Sequence, residues 1–144
     1  MPQTGTAAQI TQIATVVVPV SNHDRAISFF GRLGFTKFAD FDYADGERWV
    51  EVECPGAATR LTFACSRAGR AAGIETGVIL NSADIDADHA ALRALGIRVD
   101  EAVTRQGDPM FYWAGAAQAG VPPMFRFYDP DDNSYLLVQD PARL

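Results

Sequence analysis

Two stretches of the chain follow one template at a constant spacing. Val16 to Val20, an amphipathic segment and Arg32-Leu33-Gly34-Phe35 are matched 62 residues later, without a gap, by Val78 to Ser82, a second amphipathic segment and Ala94-Leu95-Gly96-Ile97. Such a repeat points to a pseudo-symmetric domain made from two copies of one supersecondary unit. It also lets a position in one half be checked against its partner in the other. At 144 residues the chain has the length of one ordinary domain and needs no second core.

The local pattern gives each copy the same order of elements. Ile13 to Val20 is a run of β-branched residues, as expected of a buried strand. Ser21 or Asn22 can cap a helix in which Ala26, Phe29, Phe30 and Leu33 share one face, and Gly34 ends it. Three strand-like runs follow, Thr36 to Tyr43, Arg48 to Cys54 and Thr59 to Cys65, separated by Asp45-Gly46 and Pro55-Gly56. The second copy opens with a strand from Thr76 to Asn81, a helix from Asp84 to Leu95 and a strand over Arg98 to Val103. It closes with a hairpin, Met124 to Tyr128 and Ser134 to Gln139, around Asp129-Pro130-Asp131-Asp132-Asn133. The expected division is a leader over 1–11, a βαβββ module over 12–66, a linker over 67–75 and a second module over 76–144. An insertion over 104–122 carries Met110-Phe111-Tyr112-Trp113 and is the least repeat-like part of the chain.

A net charge of -6 argues against nucleic acid or an anionic membrane as partner. Residues 1 to 11 lack the basic and apolar regions of a signal peptide, and no apolar run approaches the ~20 residues of a membrane span, so a cytoplasmic location is expected. Cys54 and Cys65 lack a CxxC spacing and are expected as reduced, semi-buried thiols.

In this order, Asp24-Arg25-Ala26 with Phe29-Phe30, Leu33-Gly34-Phe35, their weaker repeat and the Asp129 to Asn133 turn resemble the vicinal oxygen chelate superfamily. That superfamily contains glyoxalase I, extradiol dioxygenases and bleomycin resistance proteins. The resemblance covers Ile13 to Gln139, with Asp132 standing where the family's turn usually has glycine. It implies an α+β fold, two βαβββ modules whose sheets form a curved half-barrel around a pocket, commonly in a homodimer.

Enzymes of the family hold a divalent metal with His, Gln or Glu at four inward positions, on the first and last strands of each module. Counting back from Gly34 and Gly96 puts the first-strand positions at Ala14 and Thr76 (or Gly77), and on the closing strands the positions fall at Thr62 and, from the Asp129-Pro130 turn, at Leu136. None is a donor that suits a transition metal, and a slip of one residue brings in none. His23 and His89 are expected on solvated helix surface, because a metal site needs three or more convergent donors. The expectation is therefore no metal and no cofactor.

If Ala14, Thr62 and Leu136 point inward, alternation puts Val16, Val18, Arg60 and Val138 on the cavity side, and Val17, Leu61, Phe63 and Leu137 against the helices. Sending Val50 and Val52 to the helix turns Trp49, Glu51 and Glu53 towards the cavity. Glu51 and Glu53 then either pair with Arg60 or offer a carboxylate to a cationic group or a proton. Met110 to Trp113 is either core or dimer contact, or an aromatic wall over a ligand. The candidate ligand residues are Trp49, Glu51, Thr62, Phe111, Tyr112, Trp113 and Leu136. They point to a metal-free protein that binds a small aromatic or cationic molecule in the pocket of a homodimer. Two alternatives stay open. One is a glyoxalase- or dioxygenase-like enzyme, with atypical ligands or a cofactor-free acid/base site of Glu51 with Tyr112 or Tyr128. The other is a dimerising protein with a vestigial pocket.

Overall fold

A computed structural model describes residues 7–143; residues 1–6 of the expected leader lie outside the described residues. The first module runs β1 (Thr15–Val20), α1 (His23–Arg32), β2 (Thr36–Ala44), β3 (Glu47–Glu53) and β4 (Arg60–Cys65). The second runs β5 (Glu75–Ser82), α2 (Ile85–Ala94), a short hairpin β6 (Phe111–Trp113) and β7 (Ala116–Gln118), then β8 (Met124–Tyr128) and β9 (Ser134–Gln139). Sheet one has the order β1-β4-β3-β2 and sheet two the order β5-β9-β8, so in each module the first strand lies parallel to the last. Neither sheet closes into a barrel.

Both helices start on side-chain caps. Asn22 accepts the backbone N–H of Arg25 at 2.9 Å, and Asp84 accepts that of Ala87 at 3.1 Å, satisfying donors a free helix end would leave orphaned. Gly34 and Gly96 turn the chain off each helix at positive φ, as the repeat requires.

The expected strand at Arg98 to Val103 is reduced to bridges at Val99–Phe127 and Thr104–Met124 along the free edge of β8. The cause is local: the Asp100 carboxylate takes the Arg126 backbone N–H at 2.9 Å, so a side chain replaces one rung of the ladder.

One core serves both modules. Val18, Val20, Val50, Val52, Leu61 and Phe63 from sheet one meet Phe125, Phe127, Tyr135 and Leu137 from sheet two, with Phe29 and Phe30 of α1 between them. Phe30 contacts Phe63 at 5.5 Å and Tyr135 at 5.4 Å between ring centroids, and so touches both sheets at once. The two sheets thus share their helix-facing sides, and their other faces point away from the common core.

The Asp129 to Asn133 turn fastens the modules together. Asn133, fully buried, accepts the backbone N–H groups of Gly73 and Ile74 and donates to Pro19 O and Asp129 Oδ2. Asp129 also accepts the Tyr135 hydroxyl at 2.8 Å, while Asp131 holds Ser21 and Arg25 at the start of α1. Asp132 occupies the left-handed region at φ 61, where an aspartate is better tolerated than most side chains.

Candidate functional site

Pairing within sheet one decides which side chains share a face. Thr15 lies opposite Arg60 and Val17 opposite Thr62, whereas Val16 lies opposite Leu61 and Val18 opposite Phe63. Val18 is fully buried in the core and Val17 is 39% exposed. The expectation that Val16 and Val18 face the cavity, with Ala14 at the inward position, is therefore corrected by one residue, to Thr15 and Val17. A run of three valines carries no alternation, so the pattern could not choose the face. The parallel register with β4 chooses it.

The rest of the expected face assignment matches the packing. Val50 and Val52 are buried in the core, and Trp49, Glu51 and Glu53 are half-buried on the opposite face. Glu51 pairs with Thr62 across β4 and with Ala39 across β2, and Trp49 pairs with Phe41. Phe41 is 53% exposed and Tyr43 57%, with the Tyr43 ring edge-on to Trp49 at 6.0 Å. This face, turned from both helices, carries an open aromatic surface. At one margin Arg60 pairs with Glu53 at 3.3 Å and lies 3.6 Å over the Phe38 ring.

The corresponding face of sheet two is covered. Trp113, on the β6–β7 hairpin, packs with Met124, Leu136 and Val138, and its indole N–H donates to Ser134 Oγ at 2.8 Å. Trp113 is 1% exposed and Leu136 fully buried, so within one chain both are core. Phe111 lies beside them under the guanidinium of Arg126, 4.4 Å from the ring centroid, and Asp100 binds the same guanidinium at 3.0 Å. Tyr112, 70% exposed, projects from the hairpin.

The seven candidate residues therefore fall into two groups. Trp49 and Glu51 share the open face of sheet one, and Thr62 points to the same side but is 2% exposed beneath it. Phe111, Tyr112, Trp113 and Leu136 lie on the outward side of sheet two, across the common core. No single chain brings the groups together, and Glu51 meets neither Tyr112 nor Tyr128, which stacks under Arg98 at 3.9 Å. A cleft of about 560 Å3 between the β3–β4 turn and β5 is lined by Val16, Phe35, Leu61, Val78 and Leu80 among others, and by none of the seven.

The inward positions do not fit a divalent metal. The Thr15 hydroxyl donates to Arg60 O at 3.1 Å and accepts from Thr62 Oγ1 at 2.7 Å, so two hydroxyls satisfy one another. In the second module β5 bulges between Glu75 and Ile79, and Thr76 spends its hydroxyl on Ser134 O. Leu136 offers no donor. Among the described residues no three His, Cys, Asp or Glu side chains converge.

The histidines depart from the expected solvated surface. His23 Nε2 donates to Phe63 O at 3.1 Å, and His89 Nε2 to Asp100 O at 2.7 Å with its ring edge-on to Phe125. Each ties its helix to backbone on the far side of a packing contact, a role that helical spacing alone cannot reveal. Cys54 and Cys65 are free and half-buried, and burial pushes the Cys54 thiol up.

The model of the Glyoxalase/Bleomycin resistance protein/Dioxygenase superfamily matches residues 12–135, and the chain belongs to that superfamily. Three solved structures show the likeness at whole-chain length. TnmS3, an antibiotic binding protein from Streptomyces sp. CB03234, is 29% identical, with a TM-score of 0.71 over 92% of this chain and 98% of its own. A glyoxalase/bleomycin resistance protein from the same Streptomyces is 30% identical, with a TM-score of 0.66 over 89% and 100%. A superfamily member from Sphaerobacter thermophilus DSM 20745 is 26% identical, with a TM-score of 0.74 over 91% and 98%. Among curated proteins none matches the chain. The α+β half-barrel architecture of paired modules is that of these neighbours. No helix among the described residues is long and apolar enough to cross a membrane.

Proposed function

We propose that the chain is a metal-free binding protein that holds a planar aromatic small molecule by stacking on the open face of sheet one. The observation that carries this reading is the aromatic face itself: Phe41, Tyr43 and Trp49 grouped around a sheet whose other side is fully packed. Exposed aromatic clusters of this kind in soluble domains mark contact surfaces. Binding by stacking needs flat apolar walls and few polar groups, and no activated nucleophile or metal. The likeness to an antibiotic binding protein at 29% identity supports a small-molecule ligand.

The site is completed, on this proposal, by a second copy of the chain. The Tyr112 hairpin and the Trp49 face point in opposite directions within one chain. Only a neighbour can lay a hairpin like that of Tyr112 over Trp49 and Glu51. A homodimer of this kind would cover Phe38, Phe41 and Tyr43, which are each more than half exposed here.

A titration with acridone, a neutral fluorescent tricycle, tests both points. Binding is expected in the wild type, with a loss on the order of tenfold or more in Trp49→Ala, since removing a stacked indole costs about 1.5 kcal/mol or more of contact. Native mass spectrometry should show acridone on the dimer. Equal affinity in Trp49→Ala, or binding to an isolated monomer with full strength, would reject this site.

A further inference from the structure

We infer that the ligand of this face carries a positive charge on or beside its ring system, and that Glu51 is the residue that selects it. The inference rests on the proposed stacking site. Its ground is a grouping of side chains that the chain uses three times to hold a cation of its own. Arg60 sits over Phe38 with Glu53 as counter-ion. Arg126 sits over Phe111 with Asp100. Arg98 sits over Tyr128 with Asp132. In each case one guanidinium contacts both an aromatic ring and a carboxylate, the pairing that the ring quadrupole and the ionic charge both favour.

Glu51 and Trp49 are a fourth instance without the arginine. They lie two residues apart on β3, so their side chains leave the same face roughly 7 Å apart. Phe41 stands opposite Trp49, and the Tyr43 edge closes the aromatic side. Among the described residues, the Glu51 carboxylate has no hydrogen bond and no ion pair. Of the other carboxylates on this sheet, Asp40 pairs with Arg48 and Lys37, Glu47 with Arg67 and Glu53 with Arg60, while Asp42 is exposed to solvent rather than half-buried beside an indole. Arg60, on the adjacent strand β4, is already held by Glu53 and Phe38. A half-buried carboxylate two residues from a half-buried indole, with no cation supplied by the chain, is built to receive one. A protonated amine on a fused ring would stack its ring on Trp49 and place its N–H groups at Glu51. The overall charge of -6 adds a favourable long-range field for a cation.

Two ligands of the same skeleton test this: 9-aminoacridine, a cation at neutral pH, and acridone, which is neutral. The wild type should bind 9-aminoacridine more tightly than acridone, on the order of tenfold, and added salt should weaken the first and not the second. Glu51→Gln, which keeps size and shape, should abolish that preference by weakening 9-aminoacridine on the order of tenfold. Glu53→Gln, beside it but paired with Arg60, should keep the preference. Equal affinities in the wild type, or a preference that survives Glu51→Gln, would overturn the role of Glu51 while leaving the stacking site intact. Failure of both tricycles to bind would overturn the stacking site and this inference together.

Discussion

Truncation of the two tryptophans should separate packing from recognition. Trp113 is 1% exposed and fills the space between the hairpin and Met124, Leu136 and Val138. Replacing it with alanine removes the largest side chain of that cluster, at a cost of about 3–5 kcal/mol. It also strands Ser134 Oγ, which is 3% exposed and receives the indole N–H, at about 1 kcal/mol more. Against a total of roughly 5–15 kcal/mol for a domain of this size, Trp113→Ala should lose about a quarter or more of the stability. Trp113→Phe keeps most of the bulk and should lose about 1–2 kcal/mol. Trp49 is half-buried on an outward sheet face, and its alanine variant should cost less stability than Trp113→Ala, on the order of 1 kcal/mol, while losing ligand affinity. Urea unfolding followed by far-UV circular dichroism reads these differences at constant denaturant slope. A Trp113→Ala variant within about 1 kcal/mol of wild type would refute the assignment of that hairpin to the core. A Trp49→Ala variant as unstable as Trp113→Ala would refute the reading of the sheet-one face as open surface.

Other substitutions probe the fastening of the modules and the response to acid. Asn133→Ala removes four hydrogen bonds from a fully buried position and leaves the Gly73 and Ile74 N–H groups and Pro19 O without that partner. A loss of about 3 kcal/mol or more is expected in urea unfolding, and a loss below about 1 kcal/mol would contradict the hub. Gly120→Ala would place a Cβ 2.5 Å from the Arg105 carbonyl carbon at a φ of +76, so it should destabilise by about 2 kcal/mol or more. Gly31→Ala has open space around it on α1 and should be neutral or slightly stabilising. Hydrogen bonds from Arg48 and Lys37 hold the Asp40 carboxyl well below the usual carboxylate range. Its contribution to stability is thus present above the unfolded value of about 4 and is lost as pH falls through the lower folded value. Asp40→Asn should flatten the acid limb of a stability-against-pH curve, and an unchanged limb would contradict it. Burial pushes the Asp129 carboxyl upward despite the hydrogen bonds from Asn133 and Tyr135. Its linkage has the opposite sign, favouring the fold below the unfolded value and losing that gain as pH rises through the folded one.

Elements with a strong period or a specific turn were legible from residue types alone. The two capped helices, the closing hairpin and the helix-facing side of β3 follow from spacing, because each buries an alternating or heptad-like apolar set that has only one good orientation. The face of β1 was not legible, since Val16, Val17 and Val18 offer the same side chain to both sides and the register is set by a strand 45 residues further on. The roles of His23 and His89 were hidden for a similar reason: their partners are backbone carbonyls of distant segments, which leave no mark in composition. Trp113 lay in a stretch where core and ligand wall predict the same aromatic residues. The hydrogen bond to Ser134 separates them, and sequence spacing does not encode it. Most consequential was the relation between the modules. The repeat places equivalent positions in each half but carries no information on whether their faces converge, which depends on Phe30 packing against Phe63 of one sheet and Tyr135 of the other.

That relation gives the repeat an asymmetric outcome. Each sheet has one face buried in the shared core and another face that must be covered or wetted. In the second module the insertion covers it, and Trp113 anchors the cover. In the first, no insertion exists, and aromatic residues remain at the surface where their transfer to an apolar contact would be worth about 25 cal/mol per Å2. An open aromatic sheet is an aggregation hazard unless something specific occupies it. On the proposed arrangement, a ligand and a second copy share that task. Whatever stacks on Trp49 would then lie between two chains and bind the pair better than either alone, so ligand and dimer must strengthen each other by the same factor. A protein built this way holds its ligand more tightly as its own concentration rises, which suits capture of a compound rather than its turnover.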